Sequence, residues 1–223
     1  MSERGSKQRA FASLLGAAAQ LRRSAAFKLM ILLFVMLLSQ ATANPSHGEL
    51  FQSDQSECGI VAEHYHQGDP DQEREIWLRF TESSEQPTLL TTYMRNAEVI
   101  FSQNCSMIAL NDNLGSNVSE VRLFRRATGL TYKVLSVDVA AQAWEALARM
   151  RNRGKPLRLG HDYVNAIGWS ADSSALLLRL WGHTDLQNHV DDWYCVYDVG
   201  SGHISTDLLL MNSHSIVIEG KWY

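Results

Sequence analysis

The 223 residues carry 20 Lys and Arg against 24 Asp and Glu, a formal net charge of −4, and 45% of them are hydrophobic, with six Trp. This is the hydrophobic content of a chain that buries a core, not of a disordered one. The excess of acids excludes the clustered positive charge that a phosphate backbone requires, and so excludes a nucleic-acid binder.

In chain order, the first feature is a basic leader. Arg4, Lys7, Arg9, Arg22, Arg23 and Lys28 stand against one acid, Glu3, and an apolar run over residues 29–38 leads into Ser39-Gln40-Ala41-Thr42-Ala43. Basic region, apolar core and small-residue site in that order predict a secretory signal peptide over residues 1–43, cut after Ala43. An apolar run of about ten residues is too short to cross a bilayer, which needs about 20; an uncleaved anchor is the alternative. Loss of the leader's +5 leaves a chain of net charge −9 that anionic membrane surfaces do not attract. The expected location is exported, periplasmic or secreted.

The rest, about 180 residues, suits one domain. Residues 44–57 read as a polar, flexible lead-in, with at most a short strand at Leu50-Phe51, so the folded domain is expected over residues 58–223. Three cysteines remain, Cys58, Cys105 and Cys195. One disulfide with one thiol left over is compatible with all three pairings, and a buried, unpaired Cys is equally compatible.

Short apolar stretches with period-two alternation recur through the domain. The clearest repeat spans residues 163–211, a weaker one spans residues 97–137, and a more degraded one starts at Cys58-Gly59-Ile60-Val61 and includes REIWLRFT at residues 74–81. Trp169-Ser170-Ala171-Asp172-Ser173 aligns with Phe101-Ser102-Gln103-Asn104-Cys105. Val196-Tyr197 aligns with Leu123-Phe124, and Ser201-Gly202 with Thr128-Gly129. Period-two segments punctuated by Gly, Ser and Asn are the signature of half-buried strands joined by tight turns. Between the second and third repeats, DVAAQAWEALARMRNR at residues 138–153 predicts the one helix, N-capped by Asp138, with Ala140, Trp144, Leu147 and Ala148 on its apolar face. Gly154 and Pro156 end it. Ile216-Val217-Ile218 supplies a last strand, expected to complete the short amino-terminal sheet and hide its edge.

The apolar strand, the aromatic-Ser-x-Asp/Asn turn of Trp169-Ser170-Ala171-Asp172 and the aromatic-Asp-x-x-Ser-Gly turn of Tyr197 to Gly202, with their counterparts at Phe101 and Phe124, resemble the blades of TolB-like and WD-repeat-like β-propellers. The resemblance implies a mainly β fold of antiparallel blade-like repeats, a partial or small propeller with one inserted helix. It also implies loops that serve protein or peptide partners. Two departures stand out: the family's Pro-Asp-Gly turn is Ala171-Asp172-Ser173 here, and three blades fall short of the four to eight that close a ring. Closure through an oligomer stays open.

Few residues suggest chemistry. His64 and His66 alternate, so they share one strand face beside Glu63, Asp69 and Asp71, a pattern that can place two imidazoles on one metal. Ser170 lacks the second Gly of a nucleophile elbow and no helix follows it. No catalytic residue, cofactor or metal ligand is therefore assigned. The candidate binding surface is the polar segment over residues 182–192, read as a loop inserted between two strands. Its Trp181, His183, Asp185, His189, Asp191, Asp192 and Trp193 offer aromatic and acidic groups that favour a basic protein or peptide. The chain is thus expected to be an exported, non-catalytic binding or scaffold protein. The alternative is a metal-assisted hydrolase using His64, His66 and nearby acids, which requires those side chains to converge on one concave site.

Overall fold

The computed structural model describes residues 48–66, 68, 72–151, 157, 159–206, 208, 212 and 216–222. The leader lies outside the described residues, as do Asp69, Pro70 and Asp71. The described chain is mainly β, with three antiparallel sheets in tandem and one helix. The first sheet is a meander of β1 (Glu49–Gln55), β2 (Ile60–His66), β3 (Arg74–Phe80) and β4 (Thr88–Tyr93). The second is a meander of β5 (Asn96–Phe101), β6 (Met107–Asn113), β7 (Glu120–Thr128) and β8 (Thr131–Val134). The third runs through β9 (His161–Trp169), β10 (Ala175–Asp185), β11 (Asn188–Asp198) and β12 (His203–Ser205). On it, β13 (Ile216–Ile218) and β14 (Lys221–Trp222) extend the same edge of β11 that β12 occupies further along. The sheets do not close into a barrel.

The burial pattern follows from this stacking. In β6 every residue from Met107 to Asp112 is buried, because the second sheet is covered on both faces. Ile108 and Leu110 enter the core shared with the first sheet, whereas Ala109, Val121 and Leu123 enter the core shared with the third. In β10 the pattern alternates instead: Leu176, Leu178 and Leu180 are buried, while Leu177, Arg179 and Trp181 face outward. Each buried leucine contributes roughly 1.5–3 kcal/mol.

One turn chemistry repeats in all three sheets. The hydroxyls of Ser56, Ser102 and Ser170 accept the N–H of the residue that starts the second strand, Ile60, Met107 and Ala175, at 2.9, 3.0 and 2.9 Å. Gly59, Cys105 and Ser173 take the positive φ that closes the bend. Side chains also lock one sheet on the next. The Asn111 amide pairs both ways with the Ala166 backbone on β9, at 2.7 and 2.9 Å, and Ser119 does the same for Val164. These groups would otherwise be buried and unpaired, at a cost of about 1–3 kcal/mol each. Asn212 repeats the device at Tyr194, filling the gap on β11 between β12 and β13.

Four expectations change. Residues 49–55, expected as a loose lead-in, form β1, whose polar Gln52 and Asp54 face the second sheet and meet the backbone of Ala97 and Val99. A strand with polar groups on its inner face carries no apolar alternation. The segment over residues 182–192 is no inserted loop: β10 and β11, eleven residues each, run on as one long hairpin that turns only at Leu186-Gln187. Asp185 caps that turn by accepting the N–H groups of Gln187 and Asn188. Gly182 is required within the hairpin, because a Cβ there would meet the carbonyl oxygen of His161 on β9. The strand at Ile216–Ile218, β13, pairs with β11 and not with the first sheet. Finally, the helix α1 (Val139–Arg151) begins as expected, with Asp138 accepting the Ala141 N–H at 2.8 Å, but its core stripe is Val139, Ala143 and Leu147; Trp144 is only partly buried. The disulfide joins Cys58 to Cys105, Cα atoms 6.3 Å apart, and so ties the first turn of the first sheet to that of the second. Cys195 is free and buried, its thiol pushed up to about 12 by desolvation.

Candidate functional site

The outward face of the third sheet carries most of the residues singled out from sequence. Cross-strand register places Trp181 opposite Tyr163, and the rings stack at 5.2 Å. Arg179 lies over the Trp181 ring at 4.7 Å and pairs with Asp192. One step towards the hairpin tip, His183 stands between His161 and His189, stacked on His161 at 4.7 Å. His189 lies 3.3 Å from Asp191. A bulge sets Asp191 and Asp192 together opposite Trp181, Asp192 at a φ of 49°. Below the ladder, Ile167 is 47% exposed and lines a shallow apolar hollow with Leu177 and Val196. The tip residue Leu186 is 92% exposed.

Trp193 belongs elsewhere. It points to the opposite face of β11 and is fully buried in the core between the second and third sheets, so it takes no part in this surface. Sequence spacing misses this because the bulge at Asp191-Asp192 reverses the parity between Trp181 and Trp193.

His64 is also not a ligand in waiting. It is fully buried between the first two sheets, with Nε2 3.0 Å from Asp54 Oδ2 and Nδ1 2.8 Å from the Tyr93 hydroxyl. Burial pushes the Asp54 carboxyl up, but the hydrogen bonds from His64 and the Val99 N–H outweigh it and hold the group below its ordinary value. Asp54 is therefore an acceptor, and the His64 Nε2–H donates to it, while Nδ1 and the Tyr93 hydroxyl share a second hydrogen bond. Desolvation raises the Tyr93 phenol to about 12, so it stays protonated. His66 packs on the Phe51 ring, which also meets His64, and accepts the Gly68 N–H. Among the described residues, no three His, Cys, Asp or Glu side chains are placed to hold a metal ion. The metal-assisted alternative gains no support from these positions.

The Asp54 geometry has a pH consequence. A depressed carboxyl pKa contributes stability that is fully present above the unfolded value, about 4, and is lost as pH falls through the folded value. In chemical denaturation, wild type is expected to lose its advantage over Asp54→Asn as pH falls below about 4. A constant difference between pH 6 and pH 2.5 would show that the carboxylate's charge is irrelevant.

Sequence reasoning missed a third feature, a cleft of about 870 Å³ beside α1, lined by Leu114, Trp144, Leu157 and Leu159 together with Glu120, Asp138, Glu145 and Asp162. Its walls come from three separate chain segments, so no local pattern announces it.

Comparison with solved structures returns TolB from Acinetobacter baumannii, at a TM-score of 0.39 and 12% identity, over 71% of this chain and 32% of that one. It also returns an acylaminoacyl peptidase from Pyrococcus horikoshii, at a TM-score of 0.39 and 13% identity, over 70% of this chain and 24% of that one. The chain thus spans about a third or less of the structures it matches. No protein-family model matches the sequence. No curated protein is significantly similar to it.

Proposed function

We propose that the chain is an exported, non-catalytic binding or scaffold module that contacts a protein or peptide partner through the outward face of the third sheet and the β10–β11 hairpin. The observation that carries this reading is the contrast between faces. The second sheet is covered on both sides, while the third leaves Tyr163, Trp181, Leu177, Val196 and Ile167 partly exposed on a continuous face. Partly exposed aromatics beside charged groups are what interface anchors are made of. His183, Asp185, His189, Asp191 and Asp192 border the anchors, and the acids favour a basic partner. The basic leader supports the exported part of the reading.

The test pairs Leu177→Glu with Trp181→Ala. Both positions are outside the core, so each substitution is expected to change stability by no more than about 1 kcal/mol. Proteins captured from the exporting compartment by wild type should be lost by both variants at an unchanged melting temperature. Capture that survives both substitutions would remove this face as the partner surface.

A further inference from the structure

One device recurs where sheet meets sheet, and the third sheet repeats its parts on the outward face. The second and third sheets each begin with an edge strand, β5 and β9, whose backbone groups on the free side have no strand to pair with. Side chains of the preceding sheet take those groups. Gln52 donates to the Ala97 carbonyl of β5 at 3.5 Å, and Asp54 accepts the Val99 N–H at 3.2 Å. On β9, the N–H groups of Val164 and Ala166 go to Ser119 and Asn111, and the same two side chains donate to the carbonyls. The Asp162 N–H goes to the Asn117 carbonyl of the same sheet. An extended strand is thus held through its backbone by donors and acceptors placed on a sheet face.

The turn hydroxyls fix which positions correspond. Ser102 accepts the Met107 N–H and Ser170 the Ala175 N–H, so Ala109 corresponds to Leu177 and Asn111 to Arg179. Across the ladder, Ala109 faces Leu123 as Leu177 faces Val196. Ser119 stands as far before Val121, the partner of Asn111, as Asp192 does before Tyr194, the partner of Arg179. In the first sheet the matching apolar pair is Ala62 and Leu78. That pair and Ala109–Leu123 are fully buried beneath the sheet that follows. Leu177 and Val196 are only partly buried and form, with Ile167, a hollow of about 290 Å³. The clamp positions beside it hold a donor, Arg179, and an acceptor, Asp192, with side chains 38% and 55% exposed. These two pair with each other through Asp192 Oδ1. An exposed pair of this kind contributes little and can open to a competing ligand, and a guanidinium has N–H groups to spare.

We propose that the outward face of the third sheet binds an extended segment of its partner, laid over β10 and β11 as β9 lies over β6 and β7. Arg179 takes a backbone carbonyl of the segment, Asp192 takes a backbone N–H, and an apolar side chain fills the hollow of Ile167, Leu177 and Val196. Further side chains on the same side of the segment reach Trp181 and Tyr163. The inference rests on the proposed use of this face and adds what the face recognises: extended backbone, with apolar side chains selected at alternate positions.

Short random peptides displayed on phage supply the probe. Selection on the full chain should enrich sequences that alternate apolar and polar residues, and these should not bind the folded Leu177→Glu variant. The tightest of them is then N-methylated one peptide bond at a time, which keeps every side chain and removes one N–H. At one position at least, affinity should fall about tenfold or more, as expected for a lost hydrogen bond to a charged group. That loss should disappear in Asp192→Gly, a replacement that suits the positive φ there. Arg179→Met, which keeps the apolar stem, should weaken the unmodified peptide by about tenfold at an unchanged melting temperature. Peptides that require Leu177 but show no alternation, or N-methylation that costs the same in wild type and Asp192→Gly, would overturn the extended mode and leave the face as a partner surface. Enrichment of no sequence, or only of sequences that bind Leu177→Glu unchanged, overturns this proposal and leaves the broader reading to the capture experiment above.

Discussion

Reduction of the Cys58–Cys105 disulfide is expected to lower the stability of the folded chain by about 2–4 kcal/mol. The bond closes a loop of 47 residues, and the chain-entropy relation gives a loop of that size about 4 kcal/mol at 25 °C, with less when the reduced state retains structure. For a domain of about 180 residues this corresponds to a fall of about 10 °C in melting temperature. The bond joins equivalent turns of two neighbouring sheets, so its loss should loosen the first sheet before the third. Cys58→Ser with Cys105→Ala should melt at about the temperature of reduced wild type and should not respond to reductant. A wild-type melting curve that reductant leaves in place would mean the bond adds nothing to stability. Cys195 does not complicate the experiment, because it is buried and its thiol is pushed up to about 12.

Trp193→Ala should cost about 3–5 kcal/mol, the range for removing a large aromatic side chain from a packed core. Trp193 is fully buried where the second sheet, the third sheet and α1 meet. Among the described residues its indole N–H has no hydrogen-bond partner, and an orphaned buried donor carries a penalty of about 1–3 kcal/mol. Trp193→Phe keeps most of the ring and removes that donor, so its cost should stay below about 2 kcal/mol. Trp181→Ala, on the outward face of the same sheet, should cost less than about 1 kcal/mol. Urea denaturation of the three variants checks the order. Equal losses at Trp181 and Trp193 would contradict the assignment of the two residues to opposite faces.

How much of this was legible beforehand depended on whether the signal was local. Alternation along Leu176, Leu178 and Leu180, or along Val121 and Leu123, is a property of consecutive residues, because side chains in a strand point to opposite faces in turn. The mainly β class, the repeated Ser-closed turns and the Asp138-capped helix could all be read from the chain for that reason. The left-handed turns at Gly129 and Gly202 belong with them, since a few residues of backbone decide them.

The remainder was settled by what each strand lies against. β1 is polar yet structured because Gln52 and Asp54 find backbone partners on β5, and no pattern within residues 49–55 contains those partners. Residues 182–192 carry little apolar pattern because the hairpin tip, residues 183–188, runs past the core and is held by ladder hydrogen bonds, while Val190 returns to it. The partner of Cys58, the docking of β13 on β11 and the cleft beside α1 join residues tens of positions apart. Trp181 and Trp193 show the limit most sharply. They are alike in sequence, but a bulge at Asp191-Asp192 turns one to solvent and one to the core. Residue type sets what a side chain gains from burial; only the packing of sheet on sheet decides which side chains are buried.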